Sequence, residues 1–277
     1  FISNFILMLL FFAGFSFAAT CGTGLTSDII AYWGFDENSG TTVADLVGPY
    51  DGTLVNGPSW VEGKVGYAIR LDGADDYMIS KISNYTTGTT PRTISMWVKL
   101  HKTGSAQRFY NQGSAWDHTV SIQYLGGVDD KWRWWSYDQY GLGMIWDIRS
   151  DSAVNANEWI HLVVVNDDSD IARIYVNGVA QQQTASITKA YTPTDDQMIG
   201  VTSGVQGEYA NGTIDEFAVF NRSFSAEEVQ QLYSLGNSGQ PYCSPPELPV
   251  NFTSPTPEDN SAIYSNNAEI NASVSTS

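Results

Sequence analysis

Positive charge is scarce in this chain of 277 residues. Lys and Arg together number 13 against 30 Asp and Glu, which gives a formal net charge of -17. Nucleic-acid binding needs a basic surface, and an anionic membrane attracts the same kind of patch. The composition therefore argues against both partners. The acidic balance fits two interpretations: an acidic, soluble exterior, or a set of carboxylates that binds Ca²⁺ through oxygen ligands.

Residues of common catalytic sites are also sparse. The three histidines, His101, His118 and His161, lack metal-site spacing, and no Ser stands in a nucleophile-elbow motif. Retaining glycosidases place two carboxyl groups about 5–5.5 Å apart. Asp215 and Glu216 are adjacent in a predicted strand, so they are expected to point to opposite faces. We therefore expect that the protein is not an enzyme.

Long apolar runs are missing after the first residues. Phe5 to Phe17 is almost wholly apolar, which suits a signal-peptide core and is short for a membrane span. Ser16 and Ala18 supply small residues before a cleavage site, so 1–19 is predicted to be a signal peptide. A retained N-terminal anchor is the alternative. A secreted or cell-surface protein is expected, with no membrane insertion of the mature domain.

The chain is rich in aromatic residues and short alternating segments, with nine Trp and fifteen Tyr. In Thr93–Leu100, apolar Ile, Met, Val and Leu alternate with other residues, which is typical of a strand with two different faces. Asn177-Gly178 lies between two apolar segments and predicts a two-residue hairpin turn. These patterns indicate an all-β domain.

The stretch from Gly212 to Tyr233 predicts a strand, a turn and a short helix. The strand is Ile214–Phe220, and Ser225 is a good N-cap residue. Glu228 completes a capping box with Ser225. Gly236 is expected to end the helix in a left-handed turn.

Several motifs resemble the laminin-G-like jelly-roll family of the concanavalin A-like lectin/glucanase superfamily, over roughly Ser27 to Gly236. They are Gly212–Tyr233 and the earlier blocks AYWGFDENSG (31–40), LDGADDY (71–77), TISMWVK (93–99), and EWIH (158–161) with IYVNG (174–178).

This resemblance implies an all-β fold for 20–243: a two-sheet antiparallel jelly-roll sandwich with one short C-terminal helix. It implies a non-catalytic binding or adhesion module, with carbohydrate or a surface glycoprotein as partner. The Glu-x-Asp-x-x-Glu pattern of the superfamily's glucanases is missing. Two alternatives remain: a structural or protein–protein adhesion spacer, and an accessory domain of a secreted glycoside hydrolase.

The acidic loop Asp72, Asp75 and Asp76, before a returning strand at Tyr77, is a candidate Ca²⁺ site. Relatives with this fold often carry such a site, and Asp215 is a candidate fourth ligand. The alternative is that Asp and Gly simply form a turn.

An aromatic cluster is the candidate carbohydrate site, because aromatic faces stack on sugars. Its alternative role is packing of the sandwich. One face of the strand that carries the tryptophans is expected to point outward. The candidates are Trp132, Trp134, Trp135, Tyr137 and Trp146.

The two cysteines, Cys21 and Cys243, bracket the predicted domain. The first and last strands of a jelly roll commonly lie side by side, so the resemblance implies a Cys21–Cys243 disulfide in an oxidising compartment. Residues 244–250 form a Pro-rich linker. Residues 251–277 resemble the start of an immunoglobulin-like domain, with a disordered tail as the alternative, so tethering to further extracellular domains is expected.

Overall fold

The computed structural model describes residues 20–21, 25–82, 89–114, 117–127, 129–138, 143–188, 196–201 and 208–244. The predicted signal peptide, residues 245–250 of the predicted linker and the immunoglobulin-like segment lie outside these residues, and they stay predictions. Ser244, the first residue of the predicted linker, belongs to a strand.

Antiparallel strands dominate the described chain, and α1 (Ala226–Asn237) is the only helix within it. The strands, in chain order, are β1 (Thr20–Cys21), β2 (Ile29–Trp33), β3 (Thr42–Val43), β4 (Gly52–Val55), β5 (Ser59–Glu62), β6 (Tyr67–Asp72), β7 (Tyr77–Lys81), β8 (Arg92–Leu100), β9 (Gln107–Ser114), β10 (Asp117–Tyr124), β11 (Trp132–Asp138), β12 (Gly143–Arg149), β13 (Trp159–Asn166), β14 (Ile171–Val176), β15 (Val179–Ser186), β16 (Asp196–Ile199), β17 (Asn211–Phe220) and β18 (Cys243–Ser244).

Two eight-stranded sheets pack face to face. Sheet I has the order β15-β14-β13-β8-β17-β6-β5, with β2 also paired to β17. Sheet II has the order β12-β11-β10-β9-β16-β7-β4-β3, and a separate pair joins β1 to β18. The predicted jelly-roll sandwich with one short helix is confirmed. Within the described part of the chain, no helix has the length and apolar character needed to cross a membrane.

Alternating side chains from both sheets fill the space between them. In β8, Ile94, Met96, Val98 and Leu100 all face this core, as their period of two predicts. Sheet II contributes bulky aromatic residues, of which Trp132 is one. Each such side chain removes about 150–250 Å² from water, so burial of the aromatic residues is the main force that holds the sheets together.

Helix α1 covers the outer face of sheet I and builds a second apolar cluster. Val229 and Leu232 pack there with the sheet residue Trp97. The predicted capping box is confirmed, because the Glu228 amide donates to the Ser225 hydroxyl and the Ser225 amide donates to the Glu228 carboxylate.

The predicted helix stop at Gly236 is wrong. Helix α1 continues to Asn237, and the residue in the left-handed region is Gly239, with a φ of +75°. Gly236 is buried inside the helix, where a Cβ atom would lie 2.2 Å from Nε1 of Trp97. Close approach of the helix to the sheet, rather than chain reversal, requires glycine here.

A β-bulge in β17 turns two neighbouring carboxylates away from the core. The register with β8 shifts between Asp215 and Ala218, and Glu216 has a φ of +52°. Ile214 and Phe217, on either side of the pair, both face the space between the sheets. The prediction that Asp215 and Glu216 point to opposite faces is therefore wrong, because the bulge breaks the alternation.

Asp215 is fully buried and accepts only backbone donors. Its Oδ2 accepts the amides of Lys64 at 2.8 Å and Val65 at 2.9 Å, and its Oδ1 accepts the Glu216 amide at 2.8 Å. Amide donors cannot reverse their role, so these bonds favour the ionised form of Asp215.

Glu216 is equally buried but has one reversible partner. It accepts the Tyr32 hydroxyl at 2.7 Å and the Tyr242 amide at 2.9 Å. A protonated Glu216 can donate to the Tyr32 oxygen and still accept from Tyr242, since a hydroxyl both donates and accepts. Burial raises the pKa of both acids, and the charge of Glu216 raises that of Asp215 further, so the pair shares a proton. The reversible contact with Tyr32 places this proton on Glu216.

The connection between β14 and β15 is a two-residue turn. Asn177 and Gly178 have φ values of +51° and +79° there, which confirms the predicted hairpin.

Two other features concern the acidic loop and the chain ends. The strand after the acidic loop does not return beside β6, because β7 belongs to sheet II. The pairing of β1 with β18 places Cys21 opposite Cys243, so the two ends of the domain meet.

The buried acid at position 216 makes stability depend on pH. Burial raises the pKa of Glu216 from 4.5 to about 8, so the folded state binds this proton more tightly than the unfolded chain does. Burial lowers the pKa of His161 from 6.5 to about 3, so the folded state binds this proton less tightly than the unfolded chain does. Stability therefore rises with pH through His161, but only below about pH 6.5. Stability should fall by up to about 2 kcal/mol between about pH 6.5 and about pH 8.

Thermal or urea unfolding across this pH range measures the effect. Glu216→Gln should flatten the dependence, because its amide can donate to Tyr32 and its carbonyl can accept from Tyr242. Glu62→Gln, at an exposed position, is the matched control and should keep the wild-type slope. A wild-type protein that is equally stable at both ends of the range contradicts the assignment.

Candidate functional site

The predicted aromatic site is mostly part of the core. Trp132, Trp134 and Trp146 are 1 %, 1 % and 4 % exposed and face the space between the sheets. The rings of Trp134 and Trp146 meet edge to face at 5.5 Å. These three residues are therefore corrected from ligand platform to core, because burying a large aromatic surface outweighs leaving it open.

Trp135 and Tyr137 lie on the opposite, outer face of β11, as the alternation predicts. Trp135 is only 7 % exposed, because the guanidinium groups of Arg108 and Arg133 lie over its ring at 4.8 Å and 4.9 Å. Its face is not open to a sugar, so this candidate is also corrected. Tyr137 is half-buried and keeps some exposed surface.

The outer face of sheet II carries a straight row of polar side chains. Register places Arg108 of β9 opposite Gln123 of β10, and Gln123 opposite Arg133 of β11. Arg133 lies opposite Arg149 of β12. With strands about 4.8 Å apart, the row crosses four strands over about 14 Å.

Carboxylates join this row into a continuous network. Asp147 accepts Arg133 through both oxygens, at 2.7 Å and 2.9 Å, and Arg149 at 3.3 Å. Asp129 accepts Arg149 at 2.6 Å. Glu208 accepts both Arg108 and Gln123. We call these residues the polar ladder: Arg108, Gln123, Asp129, Arg133, Asp147, Arg149 and Glu208.

Arg133 and Arg149 favour the ionised form of Asp147 in the polar ladder. Burial alone would raise the pKa of Asp147, but hydrogen bonds and charge from Arg133 and Arg149 outweigh it and bring the pKa below its usual value. Gln123 is buried, and the side-chain exposure of the charged members runs from 7 % for Arg108 to 50 % for Asp129. The ladder is therefore an ionised array of donors and acceptors, partly open to solvent.

The alternation of aromatic and charged residues in β11 and β12 indicates the outward position of the ladder side chains, although we considered only the aromatic residues as a binding site. Arg133 lies between Trp132 and Trp134, and Asp147 lies between Trp146 and Ile148. A charged residue between two core residues of a strand must point to the opposite face. Cross-strand register could not be derived from the sequence, so the row itself was not predictable.

The acidic loop brings three carboxylates together. Ligand atoms of Asp72, Asp75 and Asp76 lie within 4.8 Å of one another. The Ala74 amide donates to Asp72 at 2.8 Å and holds its pKa below the usual value. Burial, together with the charges of Asp72 and Asp75, raises the pKa of Asp76. Clustered carboxylate oxygens fit a hard cation such as Ca²⁺.

Asp215 does not belong to this loop. Asn211 pairs with Asp72, and Asp215 lies four residues further along β17, about 13 Å away at the usual rise per residue. Its oxygens are occupied by backbone amides. The prediction of Asp215 as a fourth ligand is therefore corrected to a structural role at the bulge.

The buried contact between Ser95 and His161 has only some features of a catalytic nucleophile–base pair. Nε2 of His161 lies 2.9 Å from the Ser95 hydroxyl and 2.8 Å from the Tyr242 hydroxyl. His161 is fully buried, and its Nδ1 has no hydrogen-bond partner to orient it as a base. Burial lowers its pKa to about 3, so the ring is a poor proton acceptor at neutral pH. His161 packs against the apolar cluster on the outer face of sheet I and does not form a nucleophilic site with Ser95.

Solved structures with the same fold include binding domains. The binding domain of Paraclostridial Mosquitocidal Protein 1 is 18% identical with a TM-score of 0.62, covering 76% of this chain and 52% of that chain. Domain 4 of AbnA, a GH43 extracellular arabinanase from Geobacillus stearothermophilus, in complex with arabinotriose, is 19% identical with a TM-score of 0.60, covering 74% of this chain and 98% of that chain.

The ligand binding domain of botulinum neurotoxin serotype D, in complex with N-acetylneuraminic acid, is 15% identical with a TM-score of 0.58, covering 75% of this chain and 50% of that chain. Likeness at these identities shows the fold alone.

A curated relative and a family profile extend the comparison to sequence. The botulinum-like toxin eBoNT/J of an Enterococcus species is 23% identical over 189 residues, which are 62% of this chain and 14% of the toxin. The profile of a laminin G-like family matches residues 72–230, more than half of the chain. The chain therefore belongs to the concanavalin A-like lectin/glucanases superfamily.

Proposed function

We propose that this domain is a non-catalytic, extracellular carbohydrate-binding module. The observation that carries the proposal is the polar ladder on the outer face of sheet II. The outer face of sheet I is covered by α1, whereas the ladder keeps charged donors and acceptors partly exposed. Side-by-side donors and acceptors are what sugar hydroxyls need, since each hydroxyl donates and accepts at once.

Two kinds of relative support this choice. An arabinanase domain of this fold is complexed with arabinotriose, and a neurotoxin binding domain of this fold is complexed with N-acetylneuraminic acid. The buried setting of His161 and Ser95 supports a binding role rather than catalysis. Toxins and an extracellular hydrolase among the relatives support an extracellular setting.

The arabinanase domain also favours a second function, that of an accessory domain of a secreted glycoside hydrolase. This chain covers 98% of that domain, so the fold can serve a hydrolase as one whole unit. In this case the bound glycan would be the substrate of the attached enzyme.

We also propose that the acidic loop binds Ca²⁺ and that the ion stabilises the domain. Asp72, Asp75 and Asp76 would hold the ion, which would neutralise the repulsion among their carboxylates. The loop joins β6 of sheet I to β7 of sheet II, so a bound ion would tie the two sheets together at this end.

Calcium should raise the melting temperature, and EDTA should reverse the effect. At one hundred times the dissociation constant the gain is about 2.7 kcal/mol. Asp75→Asn should weaken it, whereas Asp196→Asn, at a carboxylate paired with Lys81, should not. A melting temperature that is the same with calcium and with EDTA would show that the loop is only a turn.

A Cys21–Cys243 disulfide is proposed to lock the β1–β18 pair, where the two residues lie opposite each other. A loop of this length adds on the order of 4–5 kcal/mol of stability in the chain-entropy account. Non-reducing peptide mapping should recover the two cysteines in one linked peptide. Recovery of both as free thiols contradicts the bond.

Carbohydrate binding is tested by a glycan array probed with the secreted domain, with and without Ca²⁺. Binding to at least one class of glycan is expected. A domain that is folded by circular dichroism and binds none of the printed glycans contradicts the proposal and favours the spacer function.

A further inference from the structure

The charge of the polar ladder sums to zero. Arg108, Arg133 and Arg149 are matched by the carboxylates of Asp129, Asp147 and Glu208. The chain as a whole carries a formal net charge of -17. A polyanionic ligand would therefore gain nothing from the ladder and would be repelled by the rest of the surface.

Stacking is not available as a means of recognition at the centre of the ladder. Two guanidinium groups already lie over the Trp135 ring. A sugar at this place would be held by its hydroxyl groups. The carboxylate of Asp147 lies between Arg133 and Arg149, so acceptor and donors adjoin and can bind neighbouring hydroxyls together.

The shape of the ladder suits an extended ligand. Arg108, Gln123, Arg133 and Arg149 are aligned across four neighbouring strands, over about 14 Å. Arg108 and Gln123 are buried, and Glu208, which accepts from both, provides the exposed groups at that end of the row. The open clefts beside α1, of about 500 Å³ and 470 Å³, are lined by none of the ladder residues. A straight row of side chains offers more contacts to several linked sugar units than to one.

We infer that the polar ladder binds an uncharged, linear glycan that lies across strands β9 to β12, with Arg133, Asp147 and Arg149 contacting its hydroxyls. The inference rests on the proposed function and names its site and ligand class. Affinity is nearly independent of salt, because neither the ladder nor the ligand carries a net charge for salt to screen.

The experiment is isothermal titration of the full chain with linear arabino- and gluco-oligosaccharides of increasing length, after the array has shown that glycans bind. Arg149→Ala should weaken binding about tenfold, the loss of one charge-assisted hydrogen bond. Arg133→Ala should weaken it further. If Arg133→Ala fails to fold, the more exposed Arg149 still provides the test.

Arg173→Ala is the matched control. Arg173 also pairs with an aspartate, because two of its nitrogens donate to Oδ2 of Asp167 at 3.1 Å and 3.0 Å, but it lies in sheet I away from the ladder. This variant should bind like the wild type.

The outcomes separate the inference from the proposed function. Glycan binding that is unchanged in both ladder variants overturns the inference and leaves the function standing. Preference for a sulfated polysaccharide, with strong salt dependence, overturns the uncharged ligand class. Equal affinity for a monosaccharide and a long oligosaccharide overturns the extended geometry. An absence of glycan binding by a folded wild-type chain overturns both.

Discussion

Burial of large aromatic side chains between the two sheets is the interaction on which the rest of this structure depends. Trp33, Trp132, Trp134 and Trp146 enter this core from their strands, together with Phe109 and other rings. Because side chains alternate along a strand, each inward tryptophan sends its neighbour outward. The polar ladder is thus a direct result of core packing: the outward neighbours happen to be the arginines and the aspartate that register then aligns.

Both faces of sheet I are buried, and this burial explains the β-bulge at Glu216 and the glycine at position 236. One face meets sheet II and the other meets α1, so any polar group on the second face needs an internal partner. The bulge at Glu216 brings two carboxylates to backbone amides and tyrosines that can satisfy them. Gly236 lets the helix approach Trp97 closely enough to exclude water.

Much of the fold was predictable from the sequence because its signals are local. Period-two alternation in β8, the Asn-Gly turn after β14 and the capping box of α1 each depend on residues a few positions apart. Predictions that depended on register or packing failed. The bulge at Glu216, the buried face of Trp134 and the distance of Asp215 from Asp72 follow from contacts between distant strands, which no local pattern encodes.

The meeting of β1 and β18 has a mechanical consequence. Thr20 lies opposite Ser244, so the chain enters and leaves the domain at the same end of one short strand pair. A pulling force applied through the two ends would load this pair alone, in an unzipping direction, and the sandwich would carry no tension while the pair held. Under such a load the pair would shield both sheets, and the polar ladder on sheet II would keep its shape.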